Sequence, residues 1–310
     1  MKQNVVAVVG PTAVGKTKLS IEIAKSFHGE VISGDSMQVY QGMDIGTAKI
    51  TNTQMQGIPH YMLDIKKPDE AFSVADYQTY VQQYIDQISG NSHLPIIAGG
   101  SGLYIQAALY NYNFSEQRRD KQLTEQLEKV IQTEGPYTLH NYLKKVDPEQ
   151  AKKIHPNNHR RLIRAIEIYE TTGKTMSGNT REQGQSPFNP VFIGLEMERQ
   201  LLYHRINERV DRMMEQGLLE EVKNLYSLGF ENEQSMRGIG YKEFIPYLKG
   251  EQSLEASIDV LKRNSRRFAK RQYTWFKNKM NVHWYTVTPD SIDEKFRTIL
   301  NDLAGILEEK

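Results

Sequence analysis

Residues 5–17 read Val5-Val6-Ala7-Val8-Val9-Gly10-Pro11-Thr12-Ala13-Val14-Gly15-Lys16-Thr17. The first five form an unbroken apolar, mostly β-branched run, the pattern of a parallel strand covered on both faces. From Lys16 to Phe27, apolar Leu19, Ile21, Ile23, Ala24 and Phe27 recur at helical spacing, and Glu30-Val31-Ile32-Ser33 reads as a second strand. Strand, glycine loop, helix, strand predicts an α/β doubly wound fold, a parallel sheet flanked by helices.

The loop between strand and helix, Gly10, Pro11, Thr12, Ala13, Val14, Gly15, Lys16 and Thr17, matches G-x-x-x-x-G-K-[ST], the phosphate cradle of P-loop NTPase-like folds. The two glycines let backbone N–H groups turn inward around an anion, and the helix N-terminus aims at it. Lys16 would neutralise terminal phosphates, and the Thr17 hydroxyl would ligate Mg²⁺. A di- or triphosphate is therefore the expected ligand. An ATPase motor would carry an acid at the end of a second strand, but the candidate, Pro95-Ile96-Ile97-Ala98-Gly99-Gly100, ends in glycines. The acid at a strand's carboxyl end is Asp35, in Ser33-Gly34-Asp35-Ser36, placed to take a proton from an attacking nucleophile. The alternative for Asp35 is a turn-forming aspartate after Gly34.

Further along, Leu94 to Ala98 predicts a third strand, followed by a helix from about Gly102 to Tyr110, and the sheet resumes at Val191 to Leu195. The polar, helix-rich block 111–190 between them, including an irregular stretch from Thr171 to Pro190, reads as an inserted helical domain. Residues 1–110 and 191–310 then form the cradle-bearing core. Helices are expected over Arg199 to Ser227, Tyr241 to Leu248 and Leu254 to about Lys277, with a terminal strand at Val282 to Tyr285.

The chain has 310 residues, enough for a sizeable core, and no cysteine, which excludes disulfides, Cys-based zinc sites, iron–sulfur clusters and thiol nucleophiles. No apolar run is long enough to span a bilayer, and Met1-Lys2-Gln3 leads into the first strand without a signal-peptide core, so a cytoplasmic location is expected. Lys plus Arg number 39 against 38 Asp plus Glu, so net charge identifies no partner. Its distribution is more informative. Between Lys262 and Lys279 lie eight basic residues and no acid, interleaved with Phe268, Tyr273, Trp275 and Phe276. His159-Arg160-Arg161 with Arg164 forms a second cluster opening the apolar-periodic run Leu162 to Glu170. Each alone suits a solvated helix face; two together favour a nucleic-acid partner.

Several segments in order resemble the bacterial tRNA dimethylallyltransferases, or tRNA isopentenyltransferases: GPTAVGKT (10–17), ISGDSMQVYQGMDIGTAK (32–49), PHYMLDI (59–65), AGGSGLYIQAALY (98–110), IHPNNHRRLIRAIEIYETTGK (154–174), RINERVDRMMEQGLLEEV (205–222), RGIGYKE (237–243) and KRQYTWF (270–276). The resemblance spans nearly the whole chain. It implies transfer of the dimethylallyl group of dimethylallyl diphosphate to N6 of adenosine 37, beside the anticodon of tRNA, with release of diphosphate and without ATP. On that footing Lys16, Thr17 and the loop amides hold the leaving group, with Mg²⁺ on Thr17. Asp35 accepts the N6 proton, and Thr12 faces the reacting centre.

Arg205 and Arg209, four apart on one helical face, would close over the diphosphate; their alternative is an ordinary charged stripe with Glu208 and Asp211. The resemblance further implies that Asp35, Ser36, Met37 and Gln38, the segment Arg160, Arg161, Leu162, Ile163 and Arg164, and the segment Arg237, Gly238, Ile239, Gly240, Tyr241 and Lys242 line the path of the anticodon loop. Ser101 stands where the family often has threonine, an exchange that keeps the hydroxyl. The inserted helical block would clasp the anticodon stem. A monomer without zinc or membrane contact is the expectation. Three rivals stand beside it: an ATP-dependent small-molecule kinase, an isopentenyltransferase acting on a free adenine nucleotide, and a non-catalytic RNA-binding module, for which an intact cradle would have no purpose.

Overall fold

A computed structural model of the chain describes residues 2–110, 112, 120–181 and 185–308. Residues 1–109 and 186–310 form one compact unit and 110–185 a second. The later boundary therefore lies nearer 185 than the expected 190, because the fifth strand begins at Asn189, already in register with Asn4. Residue 111, the expected first residue of the insertion, and residues 182–184 of the irregular stretch lie outside the described residues.

The first unit opens with β1 (Asn4–Val9), α1 (Lys16–Ser26), β2 (Gly29–Gly34), α2 (Asn52–Met55), β3 (His60–Tyr61), α3 (Val74–Gly90), β4 (Leu94–Gly99) and α4 (Gly102–Leu109). The second unit holds α5 (Lys121–Glu134), α6 (Pro136–Val146), α7 (Pro148–Lys153), α8 (His159–Thr172) and α9 (Met176–Arg181). The chain then completes the first unit with β5 (Asn189–Glu196), α10 (Arg199–Glu215), α11 (Leu218–Ser227), α12 (Ile245–Leu248), α13 (Leu254–Lys279), β6 (His283–Thr286) and α14 (Ile292–Glu308).

The six strands form one parallel sheet in the order β3-β2-β4-β1-β5-β6. Val5 to Val9 are buried on both faces, as the apolar run requires. On one face, Val6, Val8, Val191 and Ile193 pack with Leu19 and Ile23 of α1 and Phe296, Ile299 and Leu303 of α14. The chain leaves β1 towards β2 on one side and returns to β5 on the other, so the crevice between the carboxyl ends of β1 and β4 is the place where such sheets bind ligands. Backbones crowd there. A Cβ on Gly99 would lie 2.2 Å from Gly34 O, so β2 and β4 can meet at their ends only without a side chain.

Some elements depart from expectation. The helix expected over Arg199 to Ser227 breaks at Gly217, whose φ of 99° is a left-handed geometry. Only Ile245–Leu248 of the segment from Tyr241 is α-helical; residues 238–244 form turns instead. The helices α3 and α14 and the two-residue β3 were not expected. In the second unit, Leu127, Leu139, Leu143, Leu162, Ile163 and Ile166 form a separate core. Buried His140 directs Nε2 at the carbonyls of Ala151 and Ile154, which fixes that nitrogen as the protonated one. Among the described residues no helix is long and apolar enough to cross a membrane.

Replacing Gly99 by Ala is expected to cost about 1–3 kcal/mol of unfolding free energy, read from urea denaturation, because β2 or β4 must shift to admit the methyl group.

Candidate active site

The loop after β1 depends on backbone geometry that its residues permit. Gly10 has φ 140°, and a Cβ there would lie 2.4 Å from Leu195 O of β5. Ala13 is left-handed at φ 66°, and Gly15 at φ 112° caps α1 without a side-chain hydrogen bond. No acid stands in the first turn of α1, so that helix end presents its dipole to the loop unopposed. Lys16 Nζ donates to Pro11 O at 2.8 Å, Arg205 Nε donates to Ala13 O at 3.1 Å, and Thr12 N donates to Gln272 Oε1 at 2.9 Å. The Lys16 ammonium pays for its position: burial and the neighbouring Arg209 guanidinium bring its pKa down to about 7, against the opposing pull of Asp35.

Asp35 extends from the end of β2, and its Oδ1 accepts the Met37 N–H at 2.8 Å. Burial pushes this carboxyl above the usual range, while the Met37 N–H, Lys16 and Arg209 act in the other direction. Arg209, its own pKa lowered by burial, responds in turn to Asp35, so the cation of α10, the cradle lysine and the β2 carboxylate belong to one electrostatic unit. Two aromatic side chains adjoin it. Tyr77 Oη donates to Ser33 O at 3.0 Å, and the rings of Tyr77 and Tyr104 meet edge to face at 5.2 Å. Burial lifts the Tyr104 phenol to about 12, with the Asp35 charge adding to the effect. Ser101 Oγ accepts the Ser36 N–H at 3.2 Å, tying the segment after β4 to the segment after β2.

Beside the cradle, between α1, α10 and residues 48–56, lies a cavity of about 460 Å³. Thr17, Arg209, Arg212, Ala48, Ile50 and Met213 line it, giving both cations and apolar surface. Among the described residues the Thr17 hydroxyl makes no hydrogen bond, which leaves a hard oxygen donor available at the cradle. No group of three His, Asp or Glu among those residues could hold a metal alone. A Mg²⁺ carried by phosphates needs only one or two protein oxygens, so Thr17 fits that role.

Other expected contacts divide into exposed and buried groups. Arg237, Lys242, Arg160 and Arg161 are exposed, and Met37 and Ile239 partly so. Arg164 is paired with Glu167 at 2.9 Å. Leu162 and Ile163 are corrected: both turn into the helical core, so their side chains line no path. Tyr241 is likewise fully buried, its hydroxyl donating to Glu221 Oε1 at 2.6 Å. The Gln38 carboxamide is committed to Ser33 Oγ and to the carbonyls of Thr47 and Ala48. Gly238 and Gly240 permit close approach, but to Met37 and Gly46 of the same unit.

The basic-aromatic run is one face-divided helix, α13. Ala269, Gln272 and Phe276 are buried, Lys262 pairs with Asp211, and Tyr273 donates to Glu196, leaving Arg263, Arg267, Lys270 and Arg271 as an exposed stripe, with Lys277 and Lys279 exposed at the helix end. Sequence reasoning missed Tyr77, Tyr104, Gln272 and Glu221. Glu221 accepts the N–H groups of Asp44, Ile45 and Gly46 and so holds the segment that leads to Ala48. Its position in a helical apolar repeat carries no signal of this.

The family model described as IPP transferase matches residues 38–279. A tRNA dimethylallyltransferase of Oceanobacillus iheyensis is 61% identical over 311 residues, covering 100% of this chain and 99% of that protein. A solved tRNA isopentenylpyrophosphate transferase of Bacillus halodurans is 51% identical with a TM-score of 0.77, covering 100% of this chain and 98% of the other. A eukaryotic dimethylallyltransferase acting on tRNA is 32% identical with a TM-score of 0.83, covering 98% of this chain and 80% of that one.

Inorganic diphosphate is expected to raise Tm, and Lys16→Met to abolish that rise yet leave the free protein as stable or a few degrees more so. The sign follows from the lowered pKa. Between about 7 and the ordinary lysine value of 10.5 the unfolded chain holds more protons, so stability of the native protein rises with pH through that window. The gain in Tm from methionine should be largest near pH 6 and shrink towards pH 10, as thermal melts across that range would register.

Proposed function

The chain belongs to the IPP transferase family, and on that premise we propose that it moves the dimethylallyl group of dimethylallyl diphosphate onto N6 of adenosine 37 of tRNA, as a cytoplasmic monomer. The observation that carries the reading is the Lys16, Arg209 and Asp35 unit: two desolvated cations at a phosphate cradle and, within reach of their fields, a carboxylate of raised pKa beside two aromatic rings.

In the reaction the allylic C–O bond breaks, the N6 lone pair forms the new C–N bond, and an N6 proton leaves. Negative charge develops on the departing diphosphate, where Lys16, Arg205, Arg209 and the loop amides stabilise it in a half-buried site. Asp35 accepts the proton and orients the amine, and burial makes it a better base than an exposed carboxylate. Thr12 offers a hydroxyl at the reacting centre. Bound Mg²⁺, held through Thr17, would supply further charge neutralisation to the diphosphate. A stacked adenine must be extruded to reach Asp35, which costs a few kcal/mol that contacts to its neighbours must offset. Met37, Ser36, Ser101, Ile239, Arg237 and Lys242 are the groups of the core available for this. Exposed Arg160 and Arg161 on α8 suit the phosphates of the anticodon stem.

An ATP-dependent kinase is less favoured because β4 ends at Gly99 with no acid for a hydrolytic metal site. A free nucleotide as acceptor makes no use of a second helical unit with exposed arginines.

Incubating the protein with an anticodon stem-loop bearing adenine 37, Mg²⁺ and labelled dimethylallyl diphosphate should place the label on that base; turnover of ATP with no label on RNA would overturn the reading. Asp35→Asn should lower kcat by about 100-fold or more with tRNA affinity retained. Arg161→Ala should weaken tRNA binding and flatten its dependence on salt concentration, measured by filter binding between low and moderate ionic strength.

A further inference from the structure

The peptide unit joining Pro11 to Thr12 is held at both edges. Its carbonyl accepts Lys16 Nζ at 2.8 Å and its N–H donates to Gln272 Oε1 at 2.9 Å. In a trans peptide those groups point in opposite directions, so ammonium and carboxamide fix one plane between them. Gln272 lies 260 positions from Thr12 in the chain, on α13. It is 5% exposed, on a buried face whose nearest members are Leu261, Ala269 and Phe276, with Ser257 further towards the helix start. A buried carboxamide is costly unless its polar atoms are partnered, so packing alone would favour an apolar residue there. The same carboxamide occupies the space beside the β4 loop, where a Cβ on Gly100 would lie 1.9 Å from Nε2. One side chain thereby stands between the loops that follow β1 and β4, the two strands flanking the crevice.

We infer that Gln272 is a positioning residue for the transfer, holding the Pro11–Thr12 peptide so that the Thr12 hydroxyl and the Lys16 ammonium keep their aim on the departing diphosphate. The inference rests on the transferase reading of Thr12 and Lys16. Without the acceptor, rotation of the peptide would turn its N–H towards the lysine and remove the carbonyl that the ammonium uses.

The test compares Gln272→Met, which keeps length and loses the acceptor, with Gln272→Glu, which keeps the acceptor. Gln272→Met should lower single-turnover rate by about 10- to 100-fold, with KM for tRNA within about twofold of wild type. Gln272→Glu should restore the rate to within about fivefold and show its added charge as a raised KM for dimethylallyl diphosphate. Gly100→Ala, which displaces an unaltered Gln272, should reproduce the methionine variant and serves in its place if that variant does not fold. In a Thr12→Ala background, losing the acceptor should cost clearly less than in wild type, the remainder being the share that runs through Lys16.

Full multiplicativity with Thr12→Ala, an unaffected rate in Gln272→Met, or a Gln272→Glu as slow as the acceptor-less variants would each overturn the positioning role. A wild-type protein that places no label on the stem-loop would instead remove the transferase reading beneath it.

Discussion

Two half-buried cations and one half-buried carboxylate share a site, and the arrangement of the core follows from that constraint. Lys16, Arg209 and Asp35 come from three different elements, and burial works against the charged form of each. Without a ligand, the site carries more positive than negative charge in a medium that penalises both. On the proposed reading, an incoming diphosphate would relieve this imbalance. On that reading the cost of desolvating Lys16 would be recovered as selectivity for a multiply charged anion, the usual relation between local instability and function.

Such a site requires the backbones around it to approach more closely than side chains allow. Gly10 lies against β5, Gly34 against Gly99, and Gly100 against Gln272. Acids are used as fasteners nearby: Glu221 gathers three consecutive backbone N–H groups and the Tyr241 hydroxyl, and Lys49 bridges Asp44 and Asp64 while donating to Tyr40 O. The conspicuous motif residues in 44–49 and 237–243 therefore serve in large part to brace one another.

Much of this core was legible in the sequence because parallel strands buried on both faces leave continuous apolar runs, as at 5–9, 94–98 and 191–195. The cradle was legible because its geometry demands particular residues at particular spacings. Asp35 could be placed because it directly follows a strand. Other features leave no local trace. The break at Gly217 interrupts an apolar period that continues across it, and the strand His60–Tyr61 is too short to show alternation. Tyr241, Leu162 and Ile163 sit in segments that resemblance marks as contacts, yet helix and turn geometry directs these particular side chains inward. Gln272 was hidden among basic residues because its partner lies at the other end of the chain. By contrast α3 does leave a local trace: Tyr77, Val81, Ile85 and Ile88 repeat at helical spacing behind a Ser73–Asp76 capping box.

The loop at 10–17 is steadied by Leu195, Arg205, Gln272 and Ile292, all far downstream. During synthesis the first strand and helix emerge from the ribosome long before any of these four. A polypeptide cut short ahead of α13 would carry the glycine loop intact in sequence and keep Leu195 and Arg205 beside it, yet lack Gln272 and Ile292. The geometry of the glycine loop is in this sense completed only once translation has passed the greater part of the message.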